Sequence, residues 1–118
     1  MAKTSIQQSA AEIADACCSP HTSPESLAPG DSGALAERLK VLADVTRLRM
    51  LALLVENPEP LCVCEFTALL PQRQPTISHH LRLLREARLV NSEKRGVWSY
   101  FWATDEGRRS LALVQMLM

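Results

Sequence analysis

The chain has no run approaching the roughly 18 apolar residues that a membrane span requires, although 47% of it is hydrophobic. That absence excludes a helical membrane protein. The opening Met-Ala-Lys-Thr-Ser-Ile-Gln-Gln holds one cation with no apolar stretch behind it, so a secretory signal is not expected and a cytoplasmic location follows. No Cys-x-x-Cys of the thioredoxin kind occurs, and no glycine-rich loop or carboxylate pair frames a catalytic pocket. Of the three histidines, none falls between residues 104 and 118. Net charge is missing too, since 13 Lys+Arg balance 13 Asp+Glu. A neutral total speaks at first against a nucleic-acid partner.

The distribution of charge reverses that reading. From Gln72 to Arg95 there are six cations (Arg73, Arg82, Arg85, Arg88, Lys94, Arg95) against Glu86 and Glu93, whereas residues 1–60 hold five cations against eight acids. Local fields steer nucleic acid, and a neutral total conceals a basic face here.

A length of 118 residues is that of one domain. Residues 1–33 read as a flexible N-terminal arm: a weak helix is expected over 5–18, and then Ser19-Pro20-His21-Thr22-Ser23-Pro24 and Pro29-Gly30-Asp31-Ser32-Gly33 break the chain as a linker. Residues 34–118 read as the domain. Leu35, Leu39 and Leu42 predict a helix over 34–43. Asp44 then caps a second, residues 45–56, with Leu48, Leu51 and Val55 on one face and Met50 and Leu54 widening it. Asn57-Pro58-Glu59-Pro60 ends it.

Residues 62–70 predict a short third helix with Phe66, Leu69 and Leu70 inward, closed by Pro71. Residues 73–87 predict a fourth, with Pro75 in its first turn and Ile77, Leu81 and Leu84 as the buried stripe. Gln74, Thr76, Ser78, His79 and Arg82 then point outward, offering amide, hydroxyl, imidazole and guanidinium groups to base edges and phosphates. Strands over 89–93 and 97–103 flank a Lys94-Arg95-Gly96 turn, whose cations suit the sugar-phosphate backbone. Thr104 caps a last helix, 105–118, whose Leu111, Leu113, Val114, Met116, Leu117 and Met118 call for burial against an identical helix. The fold class is therefore mainly α with a small β-hairpin: a winged helix-turn-helix, homodimeric through its terminal helices, with double-stranded operator DNA as partner.

Four cysteines occur in two close pairs, Cys17-Cys18 and Cys62-Val63-Cys64. In a reducing compartment they are expected as thiols, since adjacent cysteines and Cys-x-Cys make poor ordinary disulfides. They are plausible donors to a thiophilic ion instead. Residues two apart on a helix differ by about 200°, so Cys62 and Cys64 can share an ion only if the helix start is unwound, which Pro60 eases. His21 beside its prolines reads as solvated. His79 and His80, about 100° apart on a helix, make a poor bidentate metal site and read as DNA contacts or local hydrogen-bond partners.

Leu42-Ala43-Asp44-Val45-Thr46-Arg47-Leu48-Arg49, Leu61-Cys62-Val63-Cys64-Glu65 and Gln74-Pro75-Thr76-Ile77-Ser78-His79-His80-Leu81, with Leu84-Arg85-Glu86-Ala87, Arg95-Gly96 and Trp98-Ser99-Tyr100 following in order, resemble the ArsR/SmtB family of winged-helix metalloregulators over residues 34–103. The resemblance implies a dimeric repressor that leaves its operator on binding a toxic metal or metalloid. Members sensing zinc through a histidine on the last helix are unlike this chain, whereas arsenic regulators with an N-terminal Cys-Cys pair before proline are similar. The resemblance thus implies As(III) or Sb(III), bound by three of Cys17, Cys18, Cys62 and Cys64, as inducer, with Cd(II) or Pb(II) the alternative and no organic cofactor. Val45, Glu65 and Arg73 depart from the family pattern, and losing a Ser or Thr cap at 73 costs ~1 kcal/mol locally.

Three rival readings share these residues. A thiol enzyme would use Cys64 or Cys18 as nucleophile and His79 or His80 as base, but lacks an oxyanion site. A thiol redox-sensing repressor on the same fold would oxidise its cysteines where the first reading binds metal. A winged helix used only for protein contacts sits badly with the polar outward set on the fourth helix.

Overall fold

The computed structural model describes residues 29–118. Cys17, Cys18, His21 and the weak helix expected over 5–18 lie outside them. Gly33–Met118 forms one compact unit.

Helix α1 (Pro29–Leu42) begins earlier than expected, so the linker does not run to Gly33. Pro29 takes the first helical position, where its missing N–H costs nothing, and Asp31 lies in the positively polarised first turn. Of its apolar stripe only Leu42 is buried, while Leu35 and Leu39 remain 42% and 53% exposed. Helix α2 (Val45–Glu56) starts where Asp44 accepts the Arg47 backbone N–H at 3.0 Å. Its buried residues are Met50, Leu51 and Leu54, with Leu48 and Val55 half-buried beside them.

Leu61 and Cys62 form a short strand, β1, that the sequence did not announce. It precedes helix α3 (Val63–Leu69). Cys62 is therefore the extended residue at the helix start and not its first turn. Phe66 and Leu70 are buried as expected, but Leu69 is 54% exposed. Helix α4 (Gln74–Glu86) buries Ile77, Leu81 and Leu84. Arg73 gives it no side-chain cap, in keeping with the residue's lack of an acceptor.

Strands β2 (Val90–Arg95) and β3 (Trp98–Ala103) pair antiparallel in register from Val90↔Ala103 to Arg95↔Trp98. Lys94 and Arg95 thus belong to β2, and the turn shrinks to Gly96-Val97. Gly96 has φ 65° and Val97 does not share that left-handed backbone, the φ pattern of a type II′ hairpin turn, which needs Gly first. β1 pairs on the far side of β3 (Leu61↔Phe101, Cys62↔Tyr100), giving the order β1-β3-β2.

Helix α5 (Asp105–Gln115) is capped by the Thr104 hydroxyl, which accepts the Gly107 N–H at 3.0 Å. It ends three residues short of the chain end expected for it. Leu111 joins the core, but Leu113, Met116, Leu117 and Met118 are exposed. Ile77, Leu81 and Leu84 meet Met50, Leu51, Leu54, Phe66, Leu89 and Phe101 in one cluster. Each such side chain contributes roughly 1.5–3 kcal/mol by leaving water, which holds α4 with its polar face outward. No helix among the described residues is long and apolar enough to cross a membrane.

Candidate nucleic-acid interface and cysteine pair

Burial of Ile77, Leu81 and Leu84 dictates what α4 shows to solvent. Gln74, Thr76, Ser78, His79 and Arg82 are all exposed. Arg82 Nη2 donates to His79 Nδ1 at 2.9 Å, so the pair is braced on the helix surface. His80 turns the other way: it is half-buried and receives Arg47 Nε at 3.1 Å. Burial pushes the His80 imidazole below its ordinary value, with Arg47 and His79 adding to that and Asp44 opposing it. The neutral ring that results is the form able to accept from Arg47.

Lys94 and Arg95 stand exposed near the end of the hairpin. Arg95 is more engaged than its neighbour: its Nε lies 2.9 Å from Glu93 Oε2, and its guanidinium sits 4.9 Å from the Tyr100 ring centroid. Lys94 takes part in none of the ion pairs among the described residues. Arg85, on the same face as Ser78 and Arg82 but beyond the expected set, donates to Ser92 Oγ at 3.0 Å and ties α4 to the hairpin. Its spacing of seven from Ser78 was the signal for it. Nothing local in sequence links Arg47 to His80.

The cysteine pair departs from expectation. The Cys62 and Cys64 sulfurs are joined, with Cα atoms 5.5 Å apart, where free thiols were expected. The backbone gives the reason: Cys62 lies in β1 at φ −93°, ψ 166°, so the angular separation of two helical residues does not apply. Glu65 accepts the Cys62 N–H at 3.0 Å and secures this strand-to-helix junction. Cys62 is buried and Cys64 exposed. Cys64 lines a cavity of about 250 Å³ together with Thr67, Gln74, Val97, Trp98 and Ser99. Cys64 therefore borders both the start of α4 and the hairpin.

In the dithiol form the junction offers two soft sulfur donors on one side of the helix start, a donor set that suits a thiophilic ion. No group of three His, Cys, Asp or Glu able to hold a metal occurs among the described residues. The two remaining expected donors, Cys17 and Cys18, lie outside them.

Residues 44–92 match the model of a family described as bacterial regulatory protein, arsR family. An uncharacterized HTH-type transcriptional regulator of Methanocaldococcus jannaschii is 44% identical over 71 residues, covering 60% of this chain and 79% of the relative. The arsenical resistance operon repressor of Escherichia coli is 50% identical over 62 residues, and the match spans 52% of each protein. Among solved structures, a winged helix-turn-helix DNA-binding domain from Mycobacterium bovis superposes with a TM-score of 0.68 over 84% of this chain and 88% of that domain. At 23% identity it is similar in fold alone.

Proposed function

The chain belongs to the arsR family of bacterial regulatory proteins, a metalloregulatory transcriptional repressor and not an enzyme, and from that premise we propose that it binds operator DNA as a homodimer and leaves it when As(III) or Sb(III) is held by cysteine thiolates. The observation that carries this reading is the convergence of Cys62 and Cys64 at the β1–α3 junction, where Cys64 shares a cavity with Gln74 and Trp98.

In the DNA-bound state, α4 enters the major groove. Gln74 and Arg82 read base edges, Thr76, Ser78 and His79 support them, and Lys94 and Arg95 meet the backbone. The exposed leucines of α1 and α5 are covered by the partner subunit, which sets the two copies of α4 at a fixed spacing.

Release begins at the cysteines. Cys62 and Cys64 supply two thiolates and Cys17 or Cys18 the third. The inducer contributes only its affinity for sulfur. Cys62 cannot shift without its strand, because β1 is paired to β3 of the hairpin, and α3 packs directly against α4. A conformation that gathers three sulfurs therefore displaces the hairpin and α4 together. Stronger binding of the ion to that conformation is what lowers operator affinity. The E. coli relative's description as an arsenical resistance repressor supports As(III) over Cd(II) or Pb(II).

The test is DNA-binding anisotropy of the reduced full chain, titrated separately with arsenite, antimonite, cadmium, lead and zinc. Release by arsenite or antimonite at the lowest concentration is expected. Release by zinc alone would overturn the thiolate reading.

The joined sulfurs favour one second reading, a thiol redox-sensing repressor. A peroxide would oxidise one thiol to a sulfenic acid with loss of water, and the other thiol would then displace a second water as the S–S bond forms. Release of DNA by peroxide but not by arsenite from reduced protein would select it.

A further inference from the structure

We propose that the cleft between the end of α4, the start of β2 and the start of α5 is a phosphate-oxyanion site formed by Arg85, Arg88 and Arg109. The cleft has a volume of about 530 Å³, and Asn91, Asp105 and Glu106 also line it. Guanidinium groups offer forked N–H donors that match an oxyanion's geometry.

The charge balance favours an anion. Glu106 is committed to Arg38 at 2.7 Å, which leaves Asp105 as the one uncommitted carboxylate facing three guanidiniums. None of the three arginines takes part in an ion pair among the described residues. Arg85 is held by Ser92 Oγ, a neutral partner that orients its guanidinium and leaves its charge intact.

Arg88 supplies an independent indication. It has φ 64°, in the slot after α4 where the Leu89 N–H reaches the Leu84 carbonyl at 3.0 Å and the Arg88 N–H reaches that of Arg85 at 2.9 Å. That pattern of closing a helix favours glycine, because a side chain in left-handed backbone is strained. This chain keeps a cationic side chain at the strained position and aims it at the cleft.

Two sources could supply the phosphate: the backbone of operator DNA or a free phosphate. Arg85 continues the face of Gln74, Ser78 and Arg82, at spacings of four, four and three residues, which places the cleft alongside the candidate DNA surface. The DNA arm of the inference rests on the DNA-binding reading above; the free-phosphate arm does not.

The experiment compares the parent with a variant carrying Arg88→Gly and Arg109→Gln, and with Arg85→Gln separately. Glycine at 88 removes the guanidinium while suiting the left-handed backbone, and melting in chloride at or above the parent's confirms folding. Operator affinity is measured against salt, and the melting temperature of DNA-free protein is measured in inorganic phosphate against chloride at equal ionic strength. Removing a guanidinium that neutralises a DNA phosphate should flatten the log–log salt slope by roughly 0.9, with sequence preference unchanged. A phosphate-specific rise in melting temperature that the variants lose, with no change in slope, would assign the cleft to free phosphate. If neither slope nor phosphate response differs between parent and variants, the site does not exist. A parent that fails to bind operator would sink the DNA reading and leave the phosphate melt as the deciding measurement.

Discussion

Arg47 donates its Nε–H to His80 Nδ1 across 3.1 Å and so ties α2 to α4. The same guanidinium donates from Nη1 to the Val41 carbonyl at 3.0 Å. A helix carrying most of the candidate base contacts is thereby anchored from its inner side by a histidine that must stay neutral. Burial holds His80 below its ordinary 6.5. Its folded-state value thus lies below the unfolded one, and the unfolded chain takes up the proton first as pH falls. The stability tied to the neutral ring is present above about pH 6.5 and lost as pH falls through the folded value. Asp44, held low chiefly by the Arg47 backbone N–H, acts separately below 3.8. The urea midpoint should therefore drop between about pH 7.5 and about pH 5, and the drop should shrink in His80→Gln, whose amide oxygen accepts from Arg47 without titrating. An identical drop in both proteins would assign the pH dependence to other groups.

Gly107 is required by packing and not by its backbone. A Cβ there would fall on the Leu89 carbonyl oxygen and lie 3.3 Å from Leu51 Cδ1. Gly107→Ala should destabilise the fold by roughly 1–3 kcal/mol through overpacking, despite alanine's better helix propensity. Gly33→Ala in α1, where nothing lies within 4 Å, should gain up to about 1 kcal/mol. Chemical denaturation of the two variants reads the contrast, and equal effects would deny the close approach of α5 to Leu89.

Operator binding should divide the candidate DNA-facing residues into two kinds. Lys94→Ala and Arg95→Ala should weaken all sequences alike and flatten the salt slope by roughly 0.9 for each phosphate no longer neutralised. Arg95 should show the smaller effect, because Glu93 already pairs with it in the free protein. Gln74→Ala and Arg82→Ala should cost ~1–3 kcal/mol on the cognate site and relax preference at single base pairs. A change of sequence preference on replacing Lys94 would place the hairpin elsewhere than on the backbone.

For the cysteines, Cys64→Ser should leave DNA binding intact and abolish release by arsenite, since Cys64 is exposed and stands outside the core. Cys62→Ser should behave likewise, for serine at the residue before a helix is a favoured cap. The Cys17/Cys18 double serine variant should need more arsenite for release. Moving a population from 99:1 to 1:99 takes about 5.5 kcal/mol of differential binding, and losing one of three thiolates forfeits much of it. A double variant that responds like the parent would remove the N-terminal pair from the site.

Leu113 and Leu117 are 66% and 85% exposed. Replacing both with Ser should convert a dimer to a monomer in sedimentation and lower operator affinity together, with helix content retained. A parent that is already monomeric at micromolar concentration would overturn the two-fold arrangement.

The periodicity of Ile77, Leu81 and Leu84 determined by itself which face of α4 is buried, and hence that Gln74, Thr76, Ser78, His79 and Arg82 are exposed. A 3.6-residue repeat leaves little freedom once one face must leave water. Asp44 and Thr104 were equally legible as caps, because capping is decided within three residues. Other features needed the folded chain. Pairing of Leu61 and Cys62 with β3 spans about forty residues of sequence, and it pulls Cys62 out of the helix that local pattern assigns to it. With Cys62 extended in that pairing, its sulfur meets that of Cys64. The Arg47–His80 bond and the approach of Arg109 to Arg85 and Arg88 at one cleft likewise join residues distant in the chain, where no local preference acts and the packing of α2, α4 and α5 around a shared core sets the distance.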